Sequence, residues 1–204
     1  MRYIGDVHGE FAEYERIATE VPASIQVGDF GLGFGYKESI LPATHRFIRG
    51  NHDSPGACSK HRGWIPDDTI EGDTYFIGGA KSIDRHSRVE GQSWWRDEEL
   101  SQDRMWDIAG KFFDGKLKPR IIVSHDCPRS VSLRLFPNLW LKNESPSRTA
   151  QFLDGLFASW QPELHIFGHW HEWKDEVING TRFICLPELG YIDVDPKTLE
   201  VSYS

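Results

Sequence analysis

His165-Ile166-Phe167-Gly168-His169-Trp170-His171-Glu172-Trp173 is a short apolar run that stops at a glycine and then sets out two histidines with one residue between them. In extended backbone alternate side chains point to the same side, so both imidazoles can face one point. Alone, such a step fits a surface hairpin as well as a metal site. The deciding question is whether other strand-like runs end in the same way. Four do: "RYIG" leads into Asp6 and His8, "SIQVGD" ends on Asp29, "HRFIRGN" reaches Asn51 and is followed by His52 and Asp53, and "PRIIVSHD" carries His125. Ligands of open α/β sheets collect beyond the carboxyl ends of strands, so these residues are expected to converge.

The segments between these runs support a mixed α/β chain. "EFAEYERIATEV" places Phe11, Tyr14, Ile17 and Val21 at helical spacing, and Pro22 closes it. A second helix is expected in "DEELSQDRMWDIAGKFFDG", with Met105, Trp106, Ala109 and Phe112 inward and Gly115 ending it. A third is expected in "SRTAQFLDGLFASW", with Phe152, Leu156 and Trp160 on its inner stripe. "DTYFIGGA" reads as a further strand. The end of the chain is β-rich: Asn179-Gly180 signals one hairpin, and Asp195-Pro196 marks the turn of another. With no repeat or long linker, residues 1–204 are expected to form one domain.

Bulk composition narrows the classes. The 204 residues are 39% hydrophobic and 13% aromatic, with eight Trp and twelve Phe, enough apolar surface to offset the ordering entropy of a fold. A net charge of −8 gives no general attraction to nucleic acid or anionic membrane. No stretch approaches the ~20 apolar residues that span a bilayer, and "MRYIGDVHGE" lacks the features of a secretory leader. Cys58, Cys127 and Cys185 are odd in number and widely spaced, which argues against a disulfide framework and for a cytoplasmic setting.

Asp6, His8, Asp29, Asn51, His125, His169 and His171 form a mixed imidazole, carboxylate and amide-oxygen set without thiolate. Such ligands suit divalent manganese, iron, zinc, nickel or cobalt. A carboxylate can bridge two ions ~3.5–4 Å apart. Asp29 is the candidate bridge because it stands alone, whereas Asp6 is paired with His8.

The ordered blocks "GDVHG", "GD", "GNHD", "SHD" and "GHWH", running from Gly5 to His171, resemble those of the calcineurin-like metallophosphoesterase family. The stretch from "GGAKSID" through "WWRDEEL" is similar to one in small bacterial and phage members. The resemblance implies a four-layer α/β/β/α sandwich of two mixed β-sheets with a dinuclear centre at the strand ends. It implies that Asp6, His8 and His171 hold one metal, that Asn51, His125 and His169 hold the other, and that Asp29 bridges them. It further implies that a bridging hydroxide attacks a phosphate ester in line, that His52 assists departure of the leaving group, and that Asp53 orients His52 by a hydrogen bond and keeps it protonated.

The departures matter as well. Protein phosphatases of this family follow the second block with an Asp-Arg pair, whereas this chain reads "GDFGLGFGYKE". The glycines at 31, 33 and 35 make no dinucleotide fingerprint, and a loop that adjusts to substrate is expected there. Arg129, Arg148 and Arg85 are the arginines expected to grip phosphate in place of the missing one; Arg88 and Arg96 flank the same unusual stretch as Arg85. Trp94 and Trp95 suit either stacking on a leaving group or burial under the following helix.

A small phosphomonoester is therefore the expected substrate. Phosphodiester hydrolysis of a cyclic nucleotide, dinucleotide or nucleic acid is the alternative, and a catalytically silent metal-binding scaffold the remaining one. The "HD" pairs at 52–53 and 125–126 follow β-like runs and so do not fit a helical His-Asp phosphohydrolase, and "HWHEWK" lacks the residues of a metallo-β-lactamase site.

Overall fold

Short β-branched and aromatic runs bounded by Gly, Pro and Asp set the strands, and 3.6-residue periodicity sets the helices between them. The structure, a computed structural model, describes residues 1–36, 42–137 and 147–203. Lys37 and Glu38, which end the expected adjusting loop, lie outside them. In chain order the elements are β1 (Arg2–Ile4), α1 (Phe11–Thr19), β2 (Ser24–Gln26), β3 (His45–Phe47), α2 (Pro55–Cys58), β4 (Thr69–Glu71) and β5 (Thr74–Ile77). After a 3₁₀ turn at Arg85–Ser87 come α3 (Gln102–Phe113), β6 (Ile121–Ser124), α4 (Arg129–Leu135), α5 (Arg148–Ser159) and β7 (Leu164–Phe167). The chain closes with β8 (Lys174–Ile178), β9 (Thr181–Cys185), β10 (Tyr191–Val194) and β11 (Val201–Tyr203).

Two mixed sheets result, in the orders β11-β10-β1-β2-β3 and β4-β5-β6-β7-β9-β8. β1, β2 and β3 run parallel in the first sheet, and β5, β6, β7 and β9 in the second. Tyr3, Ile25 and Ile192 of the first sheet pack against Phe76, Val123, Ile166 and Ile184 of the second, forming the middle of the molecule. The outer face of the first sheet is covered by α1 through Phe11, Tyr14 and Ile17, which meet Ile4 and Phe47. The outer face of the second is covered by α3 and α5 over Tyr75 and Ile122, and by α4 with Phe157 over Phe167 and Phe183. The layers thus run α/β/β/α, as the sequence blocks implied.

Both expected hairpins form, β8–β9 around Asn179 (φ 51°) and Gly180 (φ 86°), and β10–β11. Their positive dihedrals suit the primed turn that Asn-Gly favours. Three helix-face expectations need correction. Trp106 is 66% exposed, and Ile108 takes the inward place beside Met105, Ala109 and Phe112. In α5 the buried stripe is Leu153, Leu156 and Phe157, with Phe152 and Trp160 only partly covered at its border. Val21 lies past the end of α1 and is half-buried. A helical stripe is wider than one apolar residue per turn, and neighbouring apolar positions compete for the same face. Among the described residues, no helix is long and apolar enough to cross a membrane.

Candidate metal centre

Every residue of the mixed ligand set follows the carboxyl end of a parallel strand: Asp6 and His8 follow β1, Asp29 follows β2, Asn51 follows β3, His125 follows β6, and His169 and His171 follow β7. The loops are tied to one another. The Val7 and His8 amides donate to the Asp29 carbonyl (2.9 and 2.8 Å), and the Gly168 amide donates to the His125 carbonyl at 3.1 Å. His125 Nδ1 donates to the Val27 carbonyl at 2.9 Å, which joins the two sheets and turns Nε2 toward the ligand group.

Two groups of ligand atoms form, each within 4.8 Å: Asp6, His8, Asp29 and His171 in one, and Asp29, His125 and His169 in the other. Asp29 belongs to both. In the first, His171 Nε2 stands 3.0 Å from Asp6 Oδ2 and 3.2 Å from His8 Nε2, and His8 Nε2 is 3.7 Å from Asp29 Oδ2. In the second, His125 Nε2 is 3.2 Å from Asp29 Oδ1 and 3.1 Å from Asn51 Oδ1. The Asn51 amide nitrogen donates to Ser82 Oγ at 3.2 Å, which leaves its oxygen to the site. Ser82 Oγ in turn donates to the buried Glu98 at 2.6 Å.

The donors fit divalent cations. Burial alone would raise the Asp29 carboxyl, yet His125, His52 and His8 hold it well below the usual carboxylate range. Burial opposes a charge on His125, but Asp29 and Asp6 overcome it and raise that imidazole to about 10. A buried spot that draws positive charge this strongly is one where an ion can take the proton's place.

Backbone geometry at the site is unusual. His8, Asp29, His169 and His171 all have positive φ (48°, 58°, 69° and 53°). Two glycines stand where the ligands leave no room: a Cβ on Gly50 would lie 2.0 Å from Asp29 Oδ1, and one on Gly168 would lie 2.2 Å from Asp6 Oδ1.

His52 borders the group. Its backbone amide donates to Asp29 Oδ1 at 2.6 Å, and its ring centroid lies 4.9 Å from that of His8. The expected hydrogen bond from Asp53 is absent. Asp53 is fully buried, and its oxygens accept from the amides of Phe30 (3.1 Å), Gly31 (2.7 Å), Leu32 (3.0 Å) and Gly50 (2.8 Å). It braces the start of the glycine-rich loop, so that part is pinned rather than adjustable. Nor is the imidazole held protonated. Arg88 Nη2 lies 2.7 Å from His52 Nε2, and a guanidinium only donates, so Nε2 is the acceptor. Burial first, and then Arg88, His8 and His125 against the pull of Asp29, push the His52 pKa down.

The three arginines expected to grip phosphate have different surroundings. Arg85 is exposed on the 3₁₀ turn, Arg148 pairs with Glu99 at 3.2 Å, and Arg129 is half-buried at the first residue of α4. Sequence reasoning also missed Glu188, whose Oε1 stands 3.1 Å from His171 Nδ1. Glu188 belongs to no strand-end block, so no spacing pointed to it. The Ser82–Glu98 support of Asn51 is equally silent, because both residues read as ordinary loop polarity.

No family model matches the chain, and no curated protein matches it. Among solved structures, TT1561 of Thermus thermophilus aligns over 100% of this chain and 97% of its own, with a TM-score of 0.50 at 12% identity. The phosphopantetheinyl hydrolase of Mycobacterium tuberculosis aligns over 92% of this chain and 89% of its own, with a TM-score of 0.49 at 12% identity. At 12% identity the likeness to TT1561 is one of fold. At that level the chain is a four-layer α/β/β/α sandwich with a His/Asp cluster at its strand ends.

Proposed function

We propose that the protein is a metal-dependent phosphoesterase that holds two divalent ions, manganese first among them, and hydrolyses a small phosphomonoester. One observation carries the reading: the buried Asp29 carboxylate is shared by two His/Asp groups, with one oxygen toward His8 and the other toward His125. Bound there, the ions would neutralise phosphoryl oxygens and lower the pKa of a water nucleophile. The chain's own residues supply the rest. Asp6, His8 and His171 serve one ion, and Asn51, His125 and His169 the other. The Val27 carbonyl and Ser82 fix the two donor atoms that most need orienting, His125 Nε2 and Asn51 Oδ1. His52, next to His8, assists departure of the leaving oxygen by a hydrogen bond from its Nδ1–H, since its Nε2 accepts from Arg88.

A monoester is favoured over a nucleic-acid chain by the net charge of −8, which repels a long polyanion. The diester reading has its own support. Phe34 and Trp95 meet edge to face at 5.2 Å, and Phe34 lies 6.2 Å from His52, a wall suited to a planar leaving group. The test is hydrolysis of para-nitrophenyl phosphate against bis-para-nitrophenyl phosphate by protein stripped of metal and reloaded with Mn²⁺, with Asp29→Asn as background. Preference for the monoester supports the first reading and preference for the diester the second. Equal rates in the wild type and the Asp29→Asn background refute both.

A further inference from the structure

The segment from Asp84 to Trp95 is absent from every strand-end block, yet it delivers one cation to the border of the ligand group. The 3₁₀ turn at Arg85–Ser87 ends on Arg88, and the following residues fold back: the Val89 amide donates to Ser93 Oγ at 3.0 Å, and the Gly91 amide donates to the Trp94 carbonyl at 2.8 Å. Arg88 is held from three sides. Its Nε donates to Asp84 Oδ1 at 2.7 Å, Nη1 donates to the Ser93 carbonyl at 3.0 Å, and Nη2 donates to His52 Nε2 at 2.7 Å. Its side chain is only 16% exposed.

A guanidinium has five N–H groups, one on Nε and two on each terminal nitrogen. Three are engaged, so among the described residues one N–H remains on each terminal nitrogen. A planar fork with an N–H left on each terminal nitrogen can offer both to the oxygens of one phosphate. The fork already stands one imidazole away from His8, whose Nε2 belongs to the ligand group. A fixed cation there would contribute more than a surface arginine, because its orientation is set before substrate arrives.

We propose that Arg88 grips the non-bridging oxygens of the substrate's phosphate and sets the preference for a terminal, dianionic phosphate over a diester; this rests on the phosphoesterase reading above. A monoester presents one more anionic oxygen than a diester, and Arg88 is the side chain placed to meet it. Arg85, three residues earlier, is its internal control: same segment, same charge, but exposed and without contact to His52.

The experiment compares wild type, Arg88→Ala, Arg88→Lys and Arg85→Ala, each loaded with Mn²⁺ and with its bound metal counted. Two quantities are read: the Kd for inorganic phosphate by calorimetry, and kcat/KM for the mono- and bis-para-nitrophenyl esters. Arg88→Ala is expected to keep its metal, to weaken phosphate binding by about 10- to 100-fold, and to lose monoester kcat/KM by a similar factor while the diester changes by less than about threefold. Arg88→Lys should recover only part of the loss, since an ammonium lacks the fork, and Arg85→Ala should behave as wild type. Phosphate binding unchanged in Arg88→Ala overturns the proposal and leaves the phosphoesterase reading standing, as does an equal loss for both esters, which would mark Arg88 as a brace for His52. Wild type that binds phosphate through Arg88 but hydrolyses neither ester refutes the phosphoesterase reading and upholds the phosphate site. Wild type that binds no phosphate overturns the proposal.

Discussion

Left-handed backbone at His8, Asp29, His169 and His171 (φ 48°, 58°, 69° and 53°) is a cost carried by four residues of the same site. For residues with a Cβ such conformations are worth about 1–3 kcal/mol of strain each, and they persist where the surroundings over-determine them. At this site the surroundings are the loops tied through the Asp29 and His125 carbonyls. His171 is the cleanest probe, because its side chain is 44% exposed and little packing is lost with it. His171→Gly should leave the unfolding free energy of the metal-free protein within about 1 kcal/mol of wild type, or raise it, while weakening metal binding; a larger loss of stability would mean that the contact with buried Asp6 outweighs the strain. Asp53 predicts the opposite pattern. Its carboxylate accepts four backbone amides in the interior, so Asp53→Ala should destabilise the metal-free protein by about 2–5 kcal/mol in urea titration. A near-neutral substitution would contradict the bracing role.

At the scale of the element, each strand that leads into the ligand set, β1, β2, β3, β6 and β7, is only three or four residues long and delivers its polar residues in the loop just beyond. The approach is close enough that Gly50→Ala or Gly168→Ala should drive a methyl into Asp29 or Asp6. Either variant is expected to lose metal by atomic absorption while keeping wild-type far-UV circular dichroism; full metal content would show that the loops can yield. The same strand-end arrangement made the site legible in sequence. Apolar runs ending in Asp, Asn or His state both the strand and the polar group beyond it, so β1, β2, β3, β6 and β7 and the side chains that cluster at their ends could be read without coordinates. Asn179-Gly180 declared its hairpin for an equally local reason. What escaped depends on tertiary neighbours. Trp106 and Ile108 compete for one helix face, and only the width of the gap beneath α3 decides between them. Asp53 sits next to His52 in sequence, but the amides of residues 30–32 claim it in space. Arg88 was one arginine of several until the turn at Asp84 and the Ser93 carbonyl fixed its direction.

Over the whole molecule, the buried charge pattern predicts how stability responds to acid. His165 lies in β7 between the sheet and its covering helices, and burial pushes its imidazole down to about 3. Its unfolded value is about 6.5, so the unfolded chain takes up a proton that the folded chain refuses. The contribution is intact above about pH 6.5 and is lost as pH falls toward 3, at a limiting slope of about 1.4 kcal/mol per pH unit. His165→Leu should therefore flatten the decline in urea midpoint between pH 6.5 and 4.5 relative to wild type; parallel curves would contradict the assignment. The two sheets are joined beside the candidate ligand group through His125 and Val27, so the fold and the site share one junction. The central claim is that this junction holds two ions bridged by Asp29, and equilibrium dialysis against Mn²⁺ with the bound metal counted per chain tests it most directly. The account predicts two ions per wild-type chain and weakened occupancy of both sites together in Asp29→Asn. One ion per wild-type chain, or an Asp29→Asn variant that still holds two at wild-type affinity, would contradict it.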